Sequence, residues 1–395
     1  MDIHEYQAKE LLAGFGIKIP EGALAYSPEQ AAYQARHIGG ESWVVKAQIH
    51  SGGRGKVGGV RLCDNEDQVY EAADQLFGSR LKTRQSGSRG KVVYRVYVEG
   101  AVSFRREMYI GLVLDRKSER IMVVASAHGG MEIEEISAEK ADSIVRCIVE
   151  PAVGMQAFQA REIAFSLGID AVNLSQATDI ILAAYRAFEE LDATMVEINP
   201  LVEADDGFLY ALDAKMTFDD NALFRHPEIA ELRDKSQEDS RQTQAVDRGL
   251  KYIALDGNIG CLVNGAGLGL ATLDMVVKAG GKLANFIDIG GGASPERVAK
   301  AIRLIRADAS VSVLLVNVFA GINRCDWIAE GIVQVLTEES VDIPVVVRIA
   351  GNNLPEGRRI LSRSGLPIVR ANTLEEAARR AVTASQKRKP RRSKT

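Results

Sequence analysis

From residue 259 onward the sequence alternates between two kinds of segment. Apolar runs at 259–263, 283–289, 311–318, 344–349 and 367–370 read as strands, and the stretches between them as helices. Units of this length join by right-handed crossovers, which commits the region to an α/β fold with a parallel, doubly wound sheet. Three of the strands run into glycine-bearing turns: Asn264-Gly-Ala-Gly-Leu-Gly269, Gly290-Gly-Gly-Ala-Ser294-Pro295 and Phe319-Ala-Gly321-Ile322-Asn323-Arg324. Ligands of such sheets bind at the carboxyl ends of strands, where helix N-termini aim partial positive charge at anions. The first turn has Leu270 where a dinucleotide fingerprint needs its last glycine, and no acidic residue follows at the right distance. The pattern therefore argues against a dinucleotide site.

This sheet uses fewer than half of the 395 residues, so another domain must precede it. The run 234–247, DKSQEDSRQTQAVD, is almost without apolar residues and reads as the connection. The expected layout is a first domain over 1–238, a second over 239–386 and a basic tail over 387–395. No window approaches 18 uncharged apolar residues, which argues against a membrane span. The start, MDIHEYQAKELLAGFGI, has early acidic residues and no apolar signal core; it reads as an amphipathic helix ended near Gly14 or Gly16. Cys63, Cys147, Cys261 and Cys325 form no CxxC pair, which points to free thiols in a reducing, cytoplasmic setting. The last nine residues hold six positive charges and no negative one, against a total net charge of −4. A body that acidic is a poor nucleic-acid binder, and the tail reads as a disordered, solvated end.

The chemistry of the first half gathers in the stretch 195–216, MVEINPLVEADDGFLYALDAKM. Two alternating runs flank Asp205-Asp206-Gly207, a hairpin turn signal. If the loop is those three residues, Ala204 faces Phe208, Asn199 lies opposite Asp213, and Glu197 opposite Lys215. Side chains two apart on a strand share a face, so one face carries two carboxylates, an amide oxygen and an ammonium. Hard oxygen ligands of this kind suit Mg²⁺ holding a nucleotide phosphate. The same pattern also describes a solvated hairpin with one cross-strand ion pair.

Upstream, the strand Trp43-Val-Val-Lys46-Ala-Gln-Ile-His50 precedes Ser51-Gly-Gly-Arg54-Gly-Lys-Val-Gly-Gly59, with five glycines in nine residues. Such a loop leaves backbone N–H groups free to close over an anion, or is simply a flexible tip. It neither ends in Gly-Lys-Ser/Thr nor leads into a helix, so it is not a P-loop. Lys46 stands inside an apolar run, where an ammonium needs a partner such as phosphate. Glu99 ends its strand, where a carboxylate can accept from an adenine amine or a ribose hydroxyl, and Glu107 opens the next; each also fits a solvated strand end. His128 reads as an incidental loop residue.

Taken in order, HEYQAKELL, VVKAQIHSGGRGKVGGV, MVEINPLV, LDAKMTFDDNALFRHPEI, LDGNIGCLVNGAGL, NFIDIGGGASPERV and RCDWIAEGI resemble the β subunit of the ADP-forming succinate–CoA ligase family over nearly the whole chain. The resemblance implies an ATP-grasp first half and a flavodoxin-like second half. It implies ATP binding by Lys46, Gly53, Arg54, Gly55, Glu99, Val102 and Glu107. Mg²⁺ would be held by Asn199 and Asp213, with Glu197 beside the phosphoryl-transfer position. Asn264, Gly321, Ile322 and Asn323 would touch the organic acid or the phosphoryl carrier. None of the five histidines fits a carrier histidine, so an α subunit bearing the phosphohistidine and the CoA site is expected, as αβ or α2β2.

One turn, FAGINRCDW, is similar to the malate–CoA ligases rather than to the succinate-using members of the family. Malate is succinate with a 2-hydroxyl, and the Asn323 amide can both donate to and accept from that group. Alternatively, Asn323 caps the helix that follows. Two other functions remain open on sequence grounds. One is a non-catalytic nucleotide-binding partner; the other is a stand-alone ATP-grasp ligase that makes an amide bond.

Overall fold

A computed structural model of the chain describes residues 1–387 apart from 87–89, 140–142, 248 and 340–341. It divides into two compact units, Met1–Gln237 and Glu238 onward. Most of the basic tail lies outside the described residues. Among those residues no helix is long and apolar enough to cross a membrane.

The first unit contains a four-stranded antiparallel sheet in the order Gly22–Ala25, Val96–Gly100, Trp43–Ala47, Val60–Cys63. Helices Pro28–Ile38 and Glu66–Leu76 cover it, burying Ala31, Ala35, Val69 and Leu76 in one core with Val45 and Val98. Each helix starts where a side chain takes over an orphan backbone donor. Ser27 accepts from the N–H of Gln30, and Asn65 from that of Gln68. A larger antiparallel sheet runs Leu209–Ala211, Ala193–Ala204, Phe104–Asp115, Arg120–Ser126, Ile144–Ile148, with Ala214–Phe218 also paired to Ala193–Ala204. Leu12, Ile163 and Ile181, from helices Glu5–Gly14, Ala157–Ser166 and Leu174–Glu190, close on Met108, Ile110 and Val196 of this sheet. Fully burying each such side chain contributes about 1.5–3 kcal/mol.

In the second unit the order is Lys251–Ala254, Leu283–Asp288, Ile259–Val263, Val313–Ala320, Val345–Gly351, Ile368–Arg370. The first of these is an antiparallel edge strand, and the other five are parallel. Numbered by sequence, the parallel strands run 2-1-3-4-5, the flavodoxin-like order. Its crevice opens between the carboxyl ends of Ile259–Val263 and Val313–Ala320, where the strand order reverses.

The boundary between the two units falls within the polar run 234–247. The run folds into a 3-10 turn and the helix Ser240–Asp247, which belongs to the second unit. Arg241 makes an ion pair with the buried Asp308, and Ala245 enters the core. Its polarity is that of a helix touching the core through few positions.

Candidate functional site

The hairpin has the register counted from its turn. Gly207 has φ +84, Ala204 N–H donates to Phe208 C=O at 2.9 Å, and Asn199 N–H donates to Asp213 C=O at 3.0 Å. Glu197 pairs with Lys215. Glu197, Asn199, Asp213 and Lys215 line one pocket together with Gly53, Arg54 and Glu5. Asn199 is held by its surroundings: its Oδ1 accepts from Gly130 N–H at 2.9 Å and its Nδ2 donates to Met131 C=O at 2.8 Å. Burial raises the Glu197 carboxyl above its usual range, while Lys215 draws it back down. Burial also raises Asp213, against the pull of Arg54.

Beneath the pocket lies a network that the sequence did not disclose. Arg54 bonds Glu5 at 2.6 Å, Asp213 at 2.7 Å and the Ala47 carbonyl at 2.9 Å. Lys46 pairs with Glu5 at 3.0 Å and with Glu99, and donates to the Leu212 carbonyl at 2.7 Å. Lys9, fully buried, also pairs with Glu99. Three cations thus meet three carboxylates. Burial alone would raise Glu5, but Arg54, Lys46 and Lys9 hold it far below the usual carboxylate range. Burial works against the charge on Lys46, yet Glu5 and Glu99 keep its pKa above normal.

Lys46 thus finds its buried partners in two carboxylates. The Glu99 side chain, 2 % exposed, pairs with two lysines. The glycine-rich segment is also more ordered than a flexible tip. Gly55–Val57 forms a 3-10 turn, closed by Gly59 N–H on Arg54 C=O at 2.8 Å, and Gly52 N–H is held by Gln85 at 2.8 Å. Gly53, at φ +73, and the exposed Gly55 flank the buried Arg54. Val102 is half-buried in the link between Val96–Gly100 and Phe104–Asp115, and Glu107 lies on the second of these strands. A Cβ on Gly130 would meet the Glu107 carboxylate at 2.7 Å, so Glu107 backs the turn that holds Asn199. His128 is a half-buried loop residue whose N–H donates to the Ser126 hydroxyl at 3.2 Å.

Sequence reasoning missed Glu5 and Lys9. Their spacing carries a signal: positions 5, 8, 9 and 12 form one helical stripe, and it contains two charges beside Ala8 and Leu12.

At the carboxyl end of the second sheet, side-chain amides tie the turns together. Asn264 donates to Phe319 C=O at 2.8 Å and accepts from Phe319 N–H at 2.9 Å. Asn323, 1 % exposed, donates to Gly290 C=O at 2.8 Å and accepts from Ala293 N–H at 2.7 Å. Both ends of the Asn323 amide are therefore engaged by the glycine turn. It does not cap the helix Cys325–Glu338, whose N-cap is Arg324; its bonds tie the glycine turn from a buried position. Gly321 and Ile322 are exposed, Ile322 by 83 %. In the first turn of that helix Arg324 and Asn353 bond Asp326, and the Arg324 bond holds its carboxyl at about 2.

An ATP-grasp domain model matches residues 2–203 and a CoA-ligase model residues 262–382. The architecture is thus that of an ATP-grasp fold joined to a CoA-ligase fold. The chain is 60% identical over 384 residues to a probable malate–CoA ligase subunit beta of Mesorhizobium japonicum, covering 97% of this chain and 98% of that one. It is 47% identical over 393 residues to a succinate–CoA ligase [ADP-forming] subunit beta of Acidiphilium cryptum, covering 97% and 99%. Among solved structures, ATP citrate lyase from Methanothrix soehngenii superposes with TM-score 0.72 at 19% identity, over 97% of this chain and 99% of that one; at this identity the likeness concerns the fold. The chain belongs to the β subunits of the ADP-forming CoA ligases, enzymes that form a carbon–sulfur bond.

Proposed function

We propose that this chain is the β subunit of a malate–CoA ligase, joining malate to CoA with conversion of ATP to ADP and phosphate. The observation that carries the nucleotide half is the convergence of Glu197, Asn199, Asp213, Gly53 and Arg54 on one pocket. Its donor set suits a hard cation: an amide oxygen from Asn199 and a carboxylate from Asp213, both on the same hairpin face. Mg²⁺ held there would neutralise charge on the ATP phosphates. Arg54 and the Gly53–Gly55 backbone cradle the phosphates, and Glu197, kept in its raised range by burial, orients the incoming imidazole. That imidazole belongs to an α subunit, which also binds CoA. ATP phosphorylates it, the phosphoryl group passes to a malate carboxylate, and the CoA thiolate displaces phosphate from the acyl phosphate.

The acid site is the carboxyl end of the second sheet, with Asn264 and the turn Gly321–Asn323. Malate is favoured over succinate by the 60% identity to the Mesorhizobium chain against 47% for the Acidiphilium one. Four free thiols, with Cys261 pushed up to about 12 by burial, fit a reducing cytoplasm. The test is kcat/KM for both acids with the chain reconstituted with its α subunit. A higher value for malate is expected, and a higher value for succinate overturns the assignment.

A further inference from the structure

We propose that Glu5, on the first helix, is a positioning residue that keeps one oxygen of Asp213 available to the metal by dividing the Arg54 guanidinium. This rests on the reading of the pocket as a magnesium–nucleotide site. Arg54 Nη1 is taken by Glu5 Oε2 at 2.6 Å and by the Ala47 carbonyl, while Nη2 alone reaches Asp213 Oδ2 at 2.7 Å. An undivided guanidinium prefers to grip a carboxylate through both oxygens. Glu5 prevents this because it is itself fixed: its Oε1 pairs with Lys46 at 3.0 Å, and Gln48 Nε2 donates to its Oε2 at 3.1 Å. Arg54 thus reaches Asp213 through Oδ2 and not Oδ1, on a residue that lines the pocket with Asn199 and Glu197.

The arrangement gives a signature that simple loss of packing would not. Without the Glu5 charge, the site gains one positive charge and Arg54 closes on Asp213. Both effects disfavour a dication, whereas added positive charge favours an anionic nucleotide. Metal and metal-free nucleotide affinities should therefore move in opposite directions.

The experiment uses the reconstituted complex. Mn²⁺ binding in saturating ADP is followed by electron paramagnetic resonance, and a fluorescent ATP analogue is titrated in EDTA. Glu5→Gln is expected to weaken Mn²⁺ binding tenfold or more while the analogue binds as tightly as to wild type or more so. Glu5→Asp should stay near wild type for both. The double variant Glu5→Gln/Lys9→Met restores equal numbers of buried cations and carboxylates, which protects the fold, and it should still bind Mn²⁺ weakly. Wild-type Mn²⁺ affinity in either Glu5→Gln background, or parallel weakening of metal and nucleotide, overturns the role of Glu5. If the wild-type complex binds neither probe, the reading of the pocket falls as well.

Discussion

Replacing Asn323 by valine separates two ways in which this residue could act. Among the described residues its amide bonds the turn Gly290–Ala293, so the substitution takes away this partner of the Ala293 N–H and of the Gly290 carbonyl. Ala293 is 1 % exposed, so its donor cannot turn to water and costs about 1–3 kcal/mol. The Gly290 carbonyl sits in a partly buried turn and belongs at the low end of that range. Together they predict a loss of about 2–4 kcal/mol from the second unit. Urea unfolding in a Trp43→Phe background reads this directly, because Trp327 is then the sole tryptophan and lies in the helix after the turn. The turn-holding role further predicts that kcat/KM falls by similar factors for malate and succinate. A stability change below about 0.5 kcal/mol with a selective loss of malate turnover would refute the reasoning, since the amide would then be acting on the substrate hydroxyl.

Two further outcomes follow from buried charge in the first unit. Burial and the neighbouring His50 lower the His4 pKa from 6.5 to about 4, so the folded state holds this ring neutral. As pH falls below 6.5 the unfolded chain takes up a proton that the folded chain refuses; this removes about 2 kcal/mol of stability by pH 5, and the loss levels off below about pH 4. Comparing wild type with His4→Gln by denaturant titration at pH 7 and pH 5 checks this, and an unchanged pH dependence in the variant contradicts it. Lys9→Met leaves Glu99 paired with Lys46 alone and should cost about 1.5–3 kcal/mol, seen as a fall of about 5 °C in Tm. Adding Glu99→Gln should recover part of that fall, whereas a single-variant shift below about 2 °C would deny the pairing its structural weight.

Some of this architecture could be read from residues alone, for identifiable reasons. The hairpin register followed from a three-residue turn with glycine at the left-handed position, because strand side chains alternate with period 2 and one count fixes every partner. The central parallel strands Ile259–Val263 and Val313–Ala320 announced themselves as apolar runs, as strands covered on both faces do. The strand Ile144–Ile148 was missed because Arg146 interrupts it, and Lys251–Ala254 because four residues at a sheet edge carry almost no pattern; Arg120–Ser126, apolar from Ile121 to Ala125, was legible and was passed over. The ion network was illegible for a different reason. Glu5, Lys9, Lys46, Arg54, Glu99 and Asp213 come from five separate elements or loops, and only the fold brings them together. The role of Asn323 illustrates the same limit. Its amide could have met a substrate, a helix end or a neighbouring turn, and the structure selects the turn.

In the proposed function, the pocket between the Gly53–Gly55 loop and the hairpin transfers the terminal phosphoryl group of ATP to a histidine on another polypeptide. Incubating the reconstituted complex with γ-³²P-ATP and Mg²⁺, then separating the subunits, measures this directly. The account predicts an acid-labile label on the α subunit in wild type and its loss in Asp213→Ala with the complex still assembled. A label on this chain instead, or full labelling of the α subunit in the variant, would contradict it.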